Sequence, residues 1–210
     1  MTDPKQLAGL IRGKAGDAKR FMVAIAGAPA SGKSTAAAKL RDELASLGES
    51  AIVVPMDGFH FDDTVLNARG HRPRKGAPFT FDVAGFAVLL KRIRAGEPDI
   101  AIPVFDRALE LSRNAADIVA ESSRFILVEG NYLLLNEAPW IGLRGLFDYA
   151  IYLEVAIAEL ERRMVKRWLD HGFDMEYAVN WIASNDLPNI REVIAKSGGA
   201  DLTIPQKSLR

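Results

Sequence analysis

The sequence predicts an α/β fold: an open, doubly wound and mostly parallel sheet flanked by helices. Two observations carry this. Short apolar runs rich in β-branched residues recur at 21–26, 52–54, 125–128, 149–155 and 202–204, with helical patterns between them. Runs that are apolar on consecutive residues need cover on both faces, and a parallel sheet alternating with helices supplies it.

Each element has its own reason. Residues 1–19 are mixed in charge and are read as an N-terminal helical extension without the apolar core of a signal peptide. After the first strand, Leu40, Leu44 and Leu47 stand at helical spacing, predicting a helix that stops at Gly48 as its C′ residue. Asp82 is placed to cap a second helix, with Phe86, Leu89, Leu90 and Ile93 on its inner face and Gly96 past its end. Leu160, Met164 and Trp168, four apart, predict a third over 156–169. Asn185-Asp186-Leu187-Pro188-Asn189 reads as a helix-ending turn, and Ser197-Gly198-Gly199 as a loop before the last strand.

Composition narrows the function. A chain of 210 residues, 49% apolar, is long enough for one full core, and nothing in it marks a domain boundary. Its 27 basic and 27 acidic residues cancel, which argues against a nucleic-acid or membrane partner and for a small one. With no cysteine, thiolate metal sites and cysteine nucleophiles are excluded, and a reducing, cytoplasmic setting is expected. A homodimer stays open.

The first strand runs into Gly27-Ala28-Pro29-Ala30-Ser31-Gly32-Lys33-Ser34-Thr35, a full G-x-x-x-x-G-K-[ST] match between a strand and a helix. Its glycines let backbone N–H groups curl around phosphate, and the helix that follows adds its dipole. Lys33 brings charge to the β- and γ-phosphates, and the Ser34 hydroxyl is a Mg²⁺ ligand, so ATP or GTP with Mg²⁺ is the expected cofactor. No Asn-Lys-x-Asp reads guanine, and Ser197-Gly198-Gly199 lies too late to be a transporter signature. The apolar run ending in Glu129 has the pattern that supports Mg²⁺ directly or through water; the alternative is a strand-end glutamate facing solvent. Asp57 ends the strand after the phosphate-loop helix, where a carboxylate can accept the proton of a substrate hydroxyl; the alternative is a turn-forming Asp-Gly pair. Arg163 and Arg167 share one helical face, suited to charge stabilisation from a closing lid or to a solvated face. Of the three histidines only His60 lies near a proposed site residue, and a packed ring is the alternative there.

Taken together, residues 27–35, Met56-Asp57-Gly58-Phe59-His60, the segment 74–82, Pro103-Val104-Phe105-Asp106-Arg107 and Val128-Glu129-Gly130-Asn131-Tyr132 resemble the phosphoribulokinase/uridine kinase family of P-loop kinases, related to bacterial pantothenate kinase. The resemblance runs over roughly residues 20–205 and is strongest to the nucleoside-kinase-like proteins labelled fructose transport system kinases. It implies ATP-dependent phosphorylation of a small hydroxylated metabolite, a sugar, nucleoside or pantothenate-like alcohol. It also implies Asp57 as catalytic acid/base, a substrate-covering segment over 60–110 and an arginine-bearing lid over 156–185. Phe59, His60, Lys75, Asp82, Phe105, Asp106 and Arg107 become the substrate-side residues. From the residues alone, Asp82 is a helix cap, Asp106 and Arg107 read equally as a surface ion pair, and Arg72-Pro73-Arg74-Lys75 as a solvated loop or a contact for an acidic substrate. Uridine kinases differ around 57–60 and lack that basic run. The alternative from another class is a nucleotide-dependent regulatory ATPase with no small-molecule acceptor.

Overall fold

A computed structural model describes residues 3–205. In chain order the main elements are α1 (Pro4–Ala15), β1 (Phe21–Gly27), α2 (Lys33–Ser46), β2 (Ala51–Pro55), a 3₁₀ turn (Met56–Phe59), α3 (Asp63–Ala68), α4 (Val83–Ala95), β3 (Ile100–Asp106), β4 (Leu111–Val119), β5 (Phe125–Gly130), β6 (Tyr149–Glu154), α5 (Ile157–Asp170), α6 (Met175–Trp181), a π-helical turn (Ile182–Asp186), α7 (Leu187–Lys196) and β7 (Leu202–Pro205).

Five strands form one parallel sheet in the order β2-β5-β1-β6-β7. Every residue of β1 is buried, and the twofold period of a strand divides them between two cores. Met22, Ala24 and Ala26 face a core shared with α4, α5 and α7, whereas Val23 and Ile25 face one shared with α1 and α2. Burial on both sides is why these strands read as continuous apolar runs. All five carboxyl ends lie on one edge. There β1 sits between β5, which adjoins β2, and β6, so the crevice opens at the centre of the sheet. Among the described residues no helix is long and apolar enough to cross a membrane.

The helix after the phosphate loop ends as expected, with Gly48 in the C′ position. It stops at Ser46, and Leu47 is its cap, 42% exposed, because Gly48 turns the chain at φ +80° before another inward position is reached. The expected turn at 185–189 is absent. The chain passes through the π-helical turn directly into α7, and Asn185 and Asn189 are buried. Pro188 lies in the first turn of α7, and the wider π-helical ring accommodates a proline that an unbroken α-helix would reject.

The antiparallel hairpin β3–β4 lies outside the main sheet and has no counterpart in the apolar pattern. Only Ile100, Ile102 and Val119 of it are buried, most of β4 faces solvent, and the register breaks around Pro103. The 3₁₀ turn after β2 presses on this hairpin at Gly58. A Cβ there would stand 2.3 Å from the Pro103 carbonyl oxygen. Gly58→Ala should therefore lower stability by about 1–3 kcal/mol, as overpacking does. Urea unfolding measures it, and an unchanged midpoint would mean that the hairpin moves away freely.

Candidate active site

The loop between β1 and α2 is shaped by close approach and by left-handed backbone. A Cβ on Gly27 would meet the Leu153 carbonyl oxygen at 2.8 Å and Ser31 Oγ at 2.7 Å. Gly32, at φ +90°, takes a conformation that glycine adopts without strain and that opens α2. The Ser31 amide donates to the Ala28 carbonyl and the Ser31 side chain is buried, while Ala30 is held at φ 63°. Pro29 and Thr35 complete the loop and the first turn of α2.

Lys33 curls back over this loop. Its Nζ donates to the Ala28 carbonyl at 3.0 Å and lies 3.5 Å from Ser31 Oγ. Burial pushes its pKa down to about 8, against the opposing pull of the Glu129 and Asp57 carboxylates. The next residue, Ser34, donates its hydroxyl to Glu129 Oε1 at 3.1 Å, which puts two oxygen donors side by side between the start of α2 and the end of β5. Glu129 is buried, not solvent-facing, and burial followed by the charge of Asp57 raises its pKa. Two adjacent oxygens, one a buried carboxylate, are the donor chemistry that suits a hard divalent cation such as Mg²⁺.

Asp57 occupies the 3₁₀ turn that follows β2 at the same edge. Burial alone would raise its carboxyl pKa, but His60, Arg107, Lys33 and Arg167 together hold it below the ordinary value. The Arg107 guanidinium donates from Nη2 to Asp57 Oδ2 at 2.6 Å. The His60 ring is bonded through Nδ1 to the Asp57 carbonyl oxygen at 2.8 Å and packs between Phe81 and Phe105, with centroids at 4.0 and 4.8 Å. Burial lowers its pKa despite Asp57. Phe59, partly buried, packs its ring against Phe86 at a tilt of 40° and 4.7 Å and so leans on the core.

The other substrate-side candidates are held by internal partners. Buried Lys75 donates to Asp63 Oδ1 and to the Glu110 carbonyl, each at 2.8 Å, and its ammonium lies 5.3 Å from the Phe105 ring centre. Asp82 caps α4, its Oδ1 accepting the Gly85 amide at 2.9 Å. Asp106 Oδ1 accepts the amides of Ala108 and Leu109, and its Oδ2 faces Arg113 at 3.4 Å. Asp106 and Arg107 thus do not pair with each other, because Arg107 leaves the end of β3 towards Asp57. The basic run is not a solvated loop either: Arg72 pairs with Asp63, and Arg74 donates to Asn185 and Asn189.

On α5, Glu159 accepts hydrogen bonds from Arg162 and Arg163, which bring its pKa to about 2. Arg163 also donates to the Ala30 carbonyl at 3.2 Å, tying the helix to the phosphate loop. Arg167 has no hydrogen-bond or ion-pair partner among the described residues; burial, then the charge of Arg107, lowers its pKa. Sequence reading missed the Glu159 clamp, although its spacing of three and four from the two arginines is the signal for one. A cleft of about 770 Å³ runs beneath α5, bordered by Gly32, Thr35, Arg163, Arg167, His171 and Leu153, and is large enough for a nucleotide's base and ribose.

No protein-family model matches the chain. It is 33% identical over 202 residues to a protein of Schizosaccharomyces pombe named as a candidate uridine kinase, covering 91% of this chain and 86% of that one. A crystal structure from Silicibacter sp. TM1040, described as a candidate fructose transport system kinase, superposes with a TM-score of 0.93 at 41% identity over 98% of this chain and all of that one. The chain belongs to the phosphoribulokinase/uridine kinase family of P-loop kinases. It is a small-molecule kinase. The similarity reaches the pantothenate kinase of Corynebacterium diphtheriae at 30% identity over 151 residues, where this kinase spans about half of the relative, 49%. The names of these relatives differ, pointing to uridine, to pantothenate and to a fructose transport system.

Proposed function

We propose that the enzyme transfers the γ-phosphate of Mg·ATP to a hydroxyl of a small metabolite. The observation that carries this reading is the convergence at one sheet edge of Asp57, Lys33 and the Ser34–Glu129 pair, at 3.1 Å. Residues 27–35 bind the triphosphate through backbone N–H groups, and Ser34 with Glu129 holds Mg²⁺, which when bound neutralises charge between the β- and γ-phosphates. Asp57 orients the acceptor hydroxyl and takes its proton. The hydroxyl oxygen forms the new bond to phosphorus as the bond to the bridging oxygen breaks and ADP leaves. Lys33 and Arg167 stabilise charge on the transferring group, and Arg163 ties α5 to the loop. In this reading residues 156–185 act as a lid and residues 60–110 cover the acceptor, with Phe105 and His60 as its aromatic floor.

The test is acceptor-dependent release of ADP across sugars, nucleosides and pantothenate-like alcohols. A kinase shows release at least about tenfold above the hydrolytic background with one of them. A regulatory ATPase shows the same release with all and without any.

The depressed pKa of Lys33 supplies a pH test. Phosphate favours the charged ammonium, so at pH 8, where the ligand-free Lys33 is roughly half protonated, Mg·ATP binding takes up about half a proton. Above that pH the affinity falls, because the proton must be supplied from a scarcer pool. Calorimetry in two buffers of different ionisation enthalpy counts the proton, and no uptake at pH 8 would place Lys33 outside the binding step.

A further inference from the structure

Arg107 is the cation that the proposed chemistry leaves without a task. Its side chain is 51% exposed, stands just past the end of β3 and reaches Asp57 from the solvent side at 2.6 Å. The turn that carries it is fixed by Asp106, whose Oδ1 accepts two successive amides. A carboxylate paired with a guanidinium is a poor proton acceptor, since transfer would leave the cation beside a neutral acid. For Asp57 to take a hydroxyl proton, Arg107 must exchange it for another anion.

The surroundings indicate where that anion comes from. A neutral polyol is held through carboxylates that accept its hydroxyl protons, and those nearby are engaged. Asp82 caps α4, Asp106 holds its turn and Arg113, and Asp63 receives Arg72 and Lys75. Guanidinium is abundant instead: among the described residues Arg107 bonds only Asp57, lying 5.8 Å from the Phe105 ring centre, and Arg167 has no partner. The cationic groups around Asp57, Arg107 and Arg167 with Lys33, complement negative charge.

We infer that the acceptor is an alcohol bearing a carboxylate or phosphate, and that Arg107 reads this anion, leaving Asp57 free for the hydroxyl as it does so. The inference rests on the kinase reading above and deepens it. Arg107 is then a specificity residue and a guard, because a molecule without the anion meets an Asp57 that is still paired.

The experiment compares matched pairs differing only in the anion: pantothenate with pantothenol, D-glycerate with glycerol, and fructose 6-phosphate with fructose. For the pair that is turned over, the charged member should exceed its neutral counterpart by about 100-fold in kcat/KM. Arg107→Gln should remove that preference from both sides, raising KM for the charged member and raising kcat for the neutral one, which then meets an unpaired Asp57. The carboxylate and phosphate arms identify which anion is read. Preference for a neutral member, or an equal loss for both members in Arg107→Gln, overturns the inference. Where no pair is turned over, the kinase reading fails on these acceptors, and the anion site is decided by inorganic phosphate titrated calorimetrically in the presence of Mg²⁺ and a non-hydrolysable ATP analogue. Phosphate binding in the wild type that Arg107→Gln abolishes upholds the site; no binding to the wild type removes it.

Discussion

Asp57→Asn should lower the rate of phosphoryl transfer by about 10³-fold while Mg·ATP affinity stays within about threefold. The split follows from the site. Among the described residues Asp57 makes no hydrogen bond or ion pair with residues 27–35; it acts on Lys33 and Glu129 only through its charge, and the bonds of Lys33 and of the Ser34–Glu129 pair form without it. The amide keeps the shape of the carboxylate but cannot take a proton, so the hydroxyl is positioned without being relieved of its proton. Arg107 also loses its ion pair, which is exposed on the arginine side, so little stability goes with it. Single-turnover transfer and titration with a fluorescent ATP analogue measure the two quantities. Transfer within tenfold of wild type would take Asp57 out of the chemistry, and a matching loss of ATP affinity would make it a structural residue of the nucleotide site.

Lys33→Met should abolish transfer, by about 10³-fold or more, and yet stabilise the ligand-free protein. The folded lysine has its pKa lowered from 10.5 to about 8 by burial, so holding it charged at neutral pH costs on the order of 3 kcal/mol. The sign is fixed by proton counting. Between about pH 8 and 10.5 the unfolded chain binds more protons at this residue than the folded one, so stability from this group rises with pH through that window and is at its lowest below pH 8. Methionine removes the penalty and the slope together, for a gain of about 1–3 kcal/mol at pH 7. Denaturant unfolding at pH 7, 8.5 and 10 reads both. A variant less stable than wild type at pH 7, with the slope intact, would show that the buried ammonium is fully compensated by Ala28 and the two carboxylates.

Both predictions concern residues whose place was legible before any coordinates. Lys33 belongs to a motif whose spacing is itself a geometric statement, since a strand, a tight glycine loop and a helix start have one way to bring N–H groups together. Asp57 and Glu129 end apolar runs, and in a parallel sheet every such end lies on the same edge. Asp82 as a cap, and Phe86, Leu89, Leu90 and Ile93 as an inner face, follow from the 3.6-residue period.

The hairpin β3–β4 was illegible for the opposite reason. A strand pair that faces solvent over most of its length carries little hydrophobic signal, and Pro103 argues against a strand. The pairing of Arg107 with Asp57 spans that hairpin and fifty positions of sequence. Arg74 is likewise separated by more than a hundred positions from Asn185 and Asn189, which continue the helix through the π turn into α7 where the sequence suggests a helix-ending turn.

Periodicity and spacings of a few residues are enough to specify the sheet, its helices, the phosphate loop and the carboxylates at its edge. Which cations find partners is set by the packing of distant segments. Arg72, Arg74 and Lys75 look like an open basic patch in the chain, but folding assigns each an internal partner, whereas among the described residues Arg167 is left without one and Arg107 is placed on Asp57. Charge neutralisation depends on distances between segments remote in sequence, and no local pattern carries those distances.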